Sequence, residues 1–305
     1  MEILLTGATG FLGSHLLKKL LAEGNEVSII KRSFSNCSRI EPELGHPKLS
    51  FYDIDRVDIE DAFASRNYRI IIHTATEYGR NEESIHKILE ANVILPVKLI
   101  EMGIKYNVKN FLNTDSYFNK ENYRYSNLLN YSLSKQSLLI WLKQFSSKIQ
   151  IMNASLEHLY GPNDSESKFV EMLFQQIAVK HADRVSLTHG HQKRDFIYVD
   201  DVIAAYLVLI EYADTHNFSF RNFEIGTASC LEIRELASKI KLASGSQTVL
   251  GFGDIPYRPD EIMQSKADIK MMRELGWKQK ISIDRGIEKI LASYRQSITN
   301  DNSTA

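Results

Sequence analysis

Cysteine is nearly missing from this chain. It holds two, Cys37 and Cys230, which fit no metal-ligand spacing and no disulfide framework, so each is read as a plain thiol. An excess of either charge is missing too. Lys and Arg total 37 against 38 Asp and Glu, a formal net charge of -1, so overall electrostatics give no support to a nucleic-acid partner or a charged membrane surface. No apolar run is long enough to span a bilayer, and no basic, signal-type segment precedes the first apolar run at Glu2. A cytoplasmic protein with no membrane partner is the expectation. There is no internal repeat, and the one low-complexity stretch is the polar tail from Ser297 to Ala305, expected to fray. His189 and His191 flank a glycine with no third ligand in sight, so a polar turn is expected there and no metal.

What is present is ordinary for a globular protein: 305 residues, 43% hydrophobic and 25% charged, enough for one large domain or two smaller ones. Glu2-Ile3-Leu4-Leu5 reads as a strand that breaks into Thr6-Gly7-Ala8-Thr9-Gly10-Phe11-Leu12-Gly13. Behind it, Leu12, Leu16, Leu17, Leu20 and Leu21 recur at helical spacing until Gly24. In that context the glycines allow a tight turn and let backbone N–H groups approach a pyrophosphate at the positive end of the helix. Gly7, Thr9, Gly10, Phe11, Leu12 and Gly13 are therefore candidate cofactor contacts. The alternative is a turn that serves only the strand-to-helix reversal.

Val27–Ile30 predicts a second strand ending in Lys31-Arg32, with no acid between Glu26 and Glu41. A cation at this place accommodates a 2′-phosphate, whereas an acid holds a ribose hydroxyl, so NADP is favoured over NAD. The alternative is a solvated Lys31-Arg32 pair that touches nothing. Leu49–Tyr52 predicts a third strand, after which Asp53 and Ile54 could hold and cover an adenine. Ile70-Ile71-Ile72 has the continuous apolar character of a buried parallel strand. It leads into Thr74, Ala75 and Thr76, small enough to let a dinucleotide lie close, and then Glu77 and Tyr78. One long amphipathic helix is predicted over Ile85–Met102, with Asn92 as a surface or helix-contact residue. Phe111-Leu112-Asn113 closes the series and presents Thr114, Asp115 and Ser116 at the carboxyl edge, where open α/β sheets bind ligands. These repeating units predict a doubly wound parallel α/β sheet with helices on both faces.

The chemistry is expected at Tyr131-Ser-Leu-Ser-Lys135. On a helix, residues four apart share a face, so phenol and ammonium would point at one spot. A cation there would lower the tyrosine pKa and ready it to exchange a proton near neutral pH. With fourteen tyrosines in the chain, about one Tyr-x-x-x-Lys is expected by chance. What gives the pair weight is its company.

Thr6-Gly-Ala-Thr-Gly-Phe-Leu-Gly13, the Thr114 strand end, Tyr131-x-x-x-Lys135 and Tyr160-Gly-Pro162 together resemble the extended short-chain dehydrogenases that act on nucleotide sugars, from about residue 1 to 295. A narrower set is similar to the synthases of CDP-abequose and CDP-paratose: Leu156-Glu157-His158, Lys168-Phe169, Arg194 to Asp201, Glu261 to Asp268, and His73 to Gly79. The resemblance implies a Rossmann-like NADP-binding domain over 1–155, with part of 190–215 returning to it. A smaller C-terminal α/β substrate domain would cover 156–296, and a flexible tail 297–305. It assigns Tyr131 as proton donor or acceptor, Lys135 as the group that lowers the tyrosine pKa and holds the nicotinamide ribose, and Thr114 as a partner of the sugar oxygen. Arg194 and Arg258 fall where relatives place diphosphate-binding arginines, and the alternative for Arg194 is an ion pair with Asp195 or Asp200. Lys168, Glu157 and His158 could meet the sugar or phosphate, as could Glu77, Tyr78, Asp115 and Ser116.

The activity so implied is NADPH-dependent reduction of the C4 ketone of a CDP-4-keto-3,6-dideoxyhexose in O-antigen assembly, by a homodimer joined through its two long helices. A C4 epimerase, or a reductase of another 4-keto-6-deoxy sugar nucleotide, stays open. So, remotely, does a non-catalytic NADP-binding sensor. Dehydratases of this family carry an Asp-Glu pair after the threonine, where this chain has Asp115-Ser116.

Overall fold

Runs of branched aliphatic residues make the first strands, and their burial follows from being covered on both faces. In β1 (Glu2–Thr6) the side chains of Ile3, Leu4 and Leu5 are wholly buried. The computed structural model describes residues 1–64, 66–79, 84–120 and 128–303, with side chains through residue 296. After β1 come α1 (Phe11–Ala22), β2 (Glu26–Lys31), β3 (Leu49–Asp53), the one-turn α2 (Asp61–Ala64) and β4 (Ile70–His73). Next are α3 (Ile85–Leu89) and α4 (Leu95–Lys105), joined by a π-helical turn over Glu90–Ile94. The uninterrupted helix expected over Ile85–Met102 is thus broken by a π turn, and Asn92, expected at a surface or helix contact, lies fully buried within that turn. β5 (Asn110–Ser116), α5 (Leu129–Phe145) and β6 (Gln150–Leu156) follow.

The chain continues through β7 (His158–Tyr160), α6 (Phe169–Phe174), β8 (Arg184–Leu187), β9 (Lys193–Arg194), β10 (Phe196–Tyr198), α7 (Val199–Thr215) and β11 (Phe220–Ile225). It ends with β12 (Leu231–Glu232), α8 (Ile233–Ser244), β13 (Val249–Phe252), α9 (Lys270–Glu274) and α10 (Ile283–Ser303). Residues 297–303 of the polar tail continue that last helix, and 304–305 lie outside the described residues. No described helix is long and apolar enough to cross a membrane.

Two units divide the chain, Met1–Leu156 with Ile203–Glu224, and Glu157–Val202 with Ile225–Ala305. The first is built on a seven-stranded sheet of order β3-β2-β1-β4-β5-β6-β11. Pairing is parallel from β3 through β6. Strand order reverses between β1 and β4, the switch point at which open sheets of this kind take ligands. Leu4, Ile71, Leu99, Phe111, Leu138, Leu142 and Ile151 belong to one continuous core of buried aliphatic and aromatic side chains. In the second unit, β7 pairs with β10, β8 with β13 and β9 with β12. Trp277 is buried there, and its indole N–H donates to the Asp201 carbonyl at 3.1 Å.

Gly7 is where the first turn depends on glycine. Its φ is +73°, and a Cβ there would stand 2.5 Å from the backbone nitrogen of Ala75. Gly7→Ala is therefore expected to destabilise the protein by about 2–4 kcal/mol, combining left-handed strain with backbone overlap. Gly45, with nothing within 4 Å of a Cβ, should tolerate alanine within about 0.5 kcal/mol. Urea unfolding of both variants checks this, and equal stabilities would refute it.

Candidate active site

At the end of β1 the chain turns back on itself, with Gly10 N–H donating to the Gly7 carbonyl at 2.9 Å. Gly10 is the N-cap of α1 and supplies no side chain to it, so the first N–H groups of a twelve-residue helix keep their capacity for an outside acceptor. A Cβ on Gly13 would lie 2.1 Å from the Gly7 oxygen, which is why helix and turn approach this closely only as glycines. Thr74 closes the far side, its hydroxyl donating to the Thr6 carbonyl at 2.7 Å. This cradle suits a dinucleotide pyrophosphate. Thr9, Gly10 and Phe11 line it partly exposed, while the Leu12 side chain is buried, leaving only its backbone for a ligand.

Lys31 and Asp53 end neighbouring strands, and the Lys31 ammonium pairs with the Asp53 carboxylate at 2.5 Å. Two groups assigned separately, to a 2′-phosphate and to an adenine, thus engage each other. Arg32 lies with its guanidinium 5.0 Å from the Phe34 ring centroid. Ile54 packs partly buried against the core.

Tyr131, Lys135 and Thr114 come together as expected. Lys135 Nζ donates to the Thr114 carbonyl at 2.9 Å and lies 5.9 Å from the Tyr131 ring centroid. The Tyr131 ring stacks on Tyr78 at 4.8 Å and meets Phe118 edge-on. The Thr114 hydroxyl is 2.7 Å from the phenol oxygen of Tyr206 on α7.

The electrostatics overturn one expectation. Burial pushes the Tyr131 phenol well above the ordinary tyrosine value, and Tyr78 and Asp115 add to the rise against the Ser116 hydrogen bond. Lys135 was expected to lower it, but desolvation of a fully enclosed phenol is the larger effect. Burial also lowers Lys135 itself, opposed by Asp115. Both effects favour neutral groups, and Tyr131 is a phenol across the physiological range.

Asp115 corrects a second expectation. It is 4% exposed and its carboxylate already accepts from Asn153 Nδ2 at 2.8 Å, from Asn119 Nδ2 at 2.9 Å and from the Ser116 N–H at 2.8 Å. Such a carboxylate holds a strand end and charges its neighbours, and has little left for a substrate. Glu77 accepts from the Gly79 N–H at 3.3 Å, while Ala75 and Thr76 sit half-buried beside it.

The second unit holds its own polar cluster. Glu157 is buried and accepts from Ser265 Oγ at 2.6 Å, with His158 Nδ1 at 3.6 Å. Arg194, expected at a diphosphate, is buried and pairs with Glu261, not with Asp195 or Asp200. Asp195 instead accepts from the Thr227 N–H, the Thr227 hydroxyl and the Ala267 N–H. Lys168 precedes α6 half-buried, and Arg258 is exposed.

Two residues near Tyr131 do more than the sequence reading gave them: Asn92 makes the helix contact expected of it and further bonds besides, and Tyr206 was not singled out. Asn92 Oδ1 accepts from the Glu77 N–H at 2.7 Å, and its Nδ2 donates to the Glu77 carbonyl and to Ser134 Oγ. Ser134 in turn donates to the Tyr131 carbonyl at 2.7 Å. A polar side chain midway along an apolar helix was the available signal. Tyr206 gave none, since 92 residues separate it from Thr114.

The profile of the "NAD dependent epimerase/dehydratase family" matches residues 3–226. Two CDP-abequose synthases, from Salmonella muenchen and Salmonella typhimurium, are each 34% identical to the chain across 95% of it and 97% of their own length. Among solved structures, UDP-glucose 4-epimerase with UDP-glucose from Thermotoga maritima superposes with a TM-score of 0.84 at 23% identity, covering 98% of this chain and 100% of that one. UDP-glucuronic acid 4-epimerase from Bacillus cereus, in complex with UDP-glucuronic acid and NAD, gives 0.83 at 22%, covering 97% and 99%. At those identities the two structures establish the fold.

His73 provides a pH test of the site's burial. It ends β4 wholly buried, its Nδ1 2.8 Å from Thr6 Oγ1, and desolvation, with Lys135 adding, pulls its pKa down to about 3. Above the unfolded value near 6.5 neither state is protonated and the group is silent. Below it the unfolded chain takes up a proton that the folded chain refuses, so stability falls as pH drops toward 3. The expected slope from this group is about 1 kcal/mol per pH unit. Urea unfolding at pH 7, 6 and 5 should show a shallower fall for His73→Gln than for the wild type, and parallel curves would rule the assignment out.

Proposed function

The chain belongs to the NAD dependent epimerase/dehydratase family, and from that membership we propose that it is an NADPH-dependent reductase of the C4 ketone of a CDP-4-keto-3,6-dideoxyhexose. Its product would be of the CDP-abequose or CDP-paratose type, for O-antigen assembly in the cytoplasm. The substrate class is supported by the two CDP-abequose synthases at 34% identity. The residues for the reduction are supported by one observation, the juxtaposition of Tyr131, Lys135 and Thr114, with Lys135 Nζ 2.9 Å from the Thr114 carbonyl and 5.9 Å from the Tyr131 ring centroid.

When bound, the dinucleotide supplies a hydride. The turn from Gly7 to Gly13 and the open end of α1 would take its pyrophosphate, and Lys31 and Arg32 would meet a 2′-phosphate. Tyr131 gives its phenol proton to the ketone oxygen. Thr114 donates a hydrogen bond to that same oxygen, and Lys135 fixes the strand end that carries Thr114 while holding the nicotinamide ribose. Glu77, Tyr78, Ser116, Glu157, His158, Lys168, Arg194 and Arg258 are assigned to the sugar nucleotide through the motifs that carry them. A C4 epimerase with tightly held NAD is the second reading. What favours it is the engagement of Lys31 with Asp53, which occupies one of the two cations meant for NADP.

The deciding assay follows NADPH absorbance with CDP-4-keto-3,6-dideoxyglucose, with NADH and a dTDP-4-keto sugar as controls. Rapid oxidation with NADPH and the CDP sugar alone is expected, and Tyr131→Phe should lower kcat by about a thousandfold with NADPH binding kept. No oxidation with any ketone would sink the reductase.

A homodimer completes the proposal. The α5 side chains Leu133, Ile140 and Trp141 are 53%, 70% and 47% exposed, and Leu89 and Ile94, on α3 and the π turn, are 41% and 46% exposed. Apolar side chains in such numbers mark an association surface. Light scattering should give a dimer for the wild type and a monomer for Ile140→Glu/Trp141→Glu, whereas a monomeric wild type would refute this surface.

A further inference from the structure

Tyr206 has no place in the reaction described so far, yet it touches one of the groups that does. The residue sits on α7, 0% exposed. Among the described residues its hydrogen-bond partner is the Thr114 hydroxyl, at 2.7 Å. Either oxygen could carry the bridging hydrogen, and the two arrangements have opposite consequences. If Thr114 donates to Tyr206, its one hydrogen is spent and it can only accept from a substrate. If Tyr206 donates, the Thr114 oxygen accepts and its own hydrogen stays free.

Elementary chemistry selects the second arrangement. A phenol is a stronger acid than an aliphatic alcohol, hence the better donor, and the alcohol is the better acceptor. A buried phenol hydrogen also needs an acceptor, and the Thr114 oxygen is the one within reach. The Thr114 carbonyl is taken by Lys135 at 2.9 Å, so its hydroxyl and its carbonyl are each held by a buried side chain. A hydroxyl that accepts one strong hydrogen bond donates a stronger one in turn.

We infer that Tyr206 is a positioning residue for the reaction: by donating to Thr114 Oγ1, it makes the threonine hydroxyl an obligate donor toward the oxygen that Tyr131 protonates. No proton leaves Tyr206, and its part is to polarise and orient. The inference rests on the proposed role of Thr114 at the reacting C4 oxygen, and the test keeps the two apart. Wild-type activity in C4 reduction or C4 epimerisation decides that parent reading. A wild type inactive in both would overturn it, and this inference with it.

Given an active wild type, the experiment is the cycle of Tyr206→Phe, Thr114→Val and the double variant, read in whichever C4 chemistry the wild type performs. Tyr206→Phe removes one oxygen and keeps the ring. It should lower kcat by about 10- to 100-fold while the substrate KM stays within about twofold of wild type. The double variant should be no slower than Thr114→Val alone, because Tyr206 acts only through the threonine. Thermal unfolding gives a readout independent of turnover. Thr114→Val strands the phenol hydrogen and lowers Tm, and adding Tyr206→Phe should restore part of the loss. Incorporation of 3-fluorotyrosine at position 206, a stronger donor of nearly the same shape, should leave kcat at or above wild type. Unchanged kcat in Tyr206→Phe, losses that multiply in the double variant, or a slower fluorotyrosine enzyme would each overturn the inference.

Discussion

An ammonium group 2% exposed to solvent has to find an acceptor, and Lys135 finds one in the backbone of the strand that carries Thr114. Burying an unpaired cation costs far more than a hydrogen bond returns, so this contact dictates where α5 lies along the carboxyl edge of β5. Once α5 is placed, Tyr131 follows one turn earlier on the same helix face. Tyr78, from the segment after β4, then covers the phenol ring. Asn92 locks that segment through both backbone groups of Glu77 and through Ser134, which returns to the Tyr131 carbonyl. The helix, the strand end and the β4 loop are thus closed into one polar circuit around a single phenol. The π turn belongs to the same circuit, since it carries Asn92.

Asp115 gives that circuit its electrical balance. It alternates with Thr114 along β5 and is held from β6 by Asn153, which also donates to Asn222 on β11. Buried amides on neighbouring strands are costly unless paired, and here Asn113 Nδ2 donates to Asn153 Oδ1 at 2.7 Å while Asn222 is exposed. The fixed carboxylate raises the pKa of Lys135 against the lowering by burial, and raises Tyr131 in the same direction as burial.

Much of the cofactor side was legible because its signals are local. A strand, three glycines and a leucine-spaced helix lie within Glu2–Ala22, and Tyr131 and Lys135 are four residues apart. The rest depended on partners far along the chain. Arg194 could be assigned to a diphosphate by motif position, yet its carboxylate partner Glu261 is 67 residues away. Lys31 and Asp53 read as two separate ligand contacts because only strand pairing brings them side by side. The Tyr131 pKa was misjudged for a related reason: a Tyr-x-x-x-Lys spacing reports the neighbouring charge, but burial is a property of the whole fold, and here it outweighs that charge.

That balance bears on the choice between two chemistries open to the same residues. An epimerase must first remove a proton from the sugar hydroxyl, so its tyrosine begins the cycle as phenolate. A ketone reductase begins with the proton already on the phenol and ends by giving it away. Burial, Tyr78 and Asp115 all disfavour the phenolate at Tyr131, and the largest of them, burial, is a feature of the folded chain itself. Each unit of upward shift adds about 1.4 kcal/mol to the cost of the phenolate, which an epimerase meets at the start of its cycle and a reductase once its proton has been given. The shift therefore weighs on both chemistries, and what it fixes is the resting state of the site, a phenol with its hydrogen in place next to the lysine and threonine that either reaction would use.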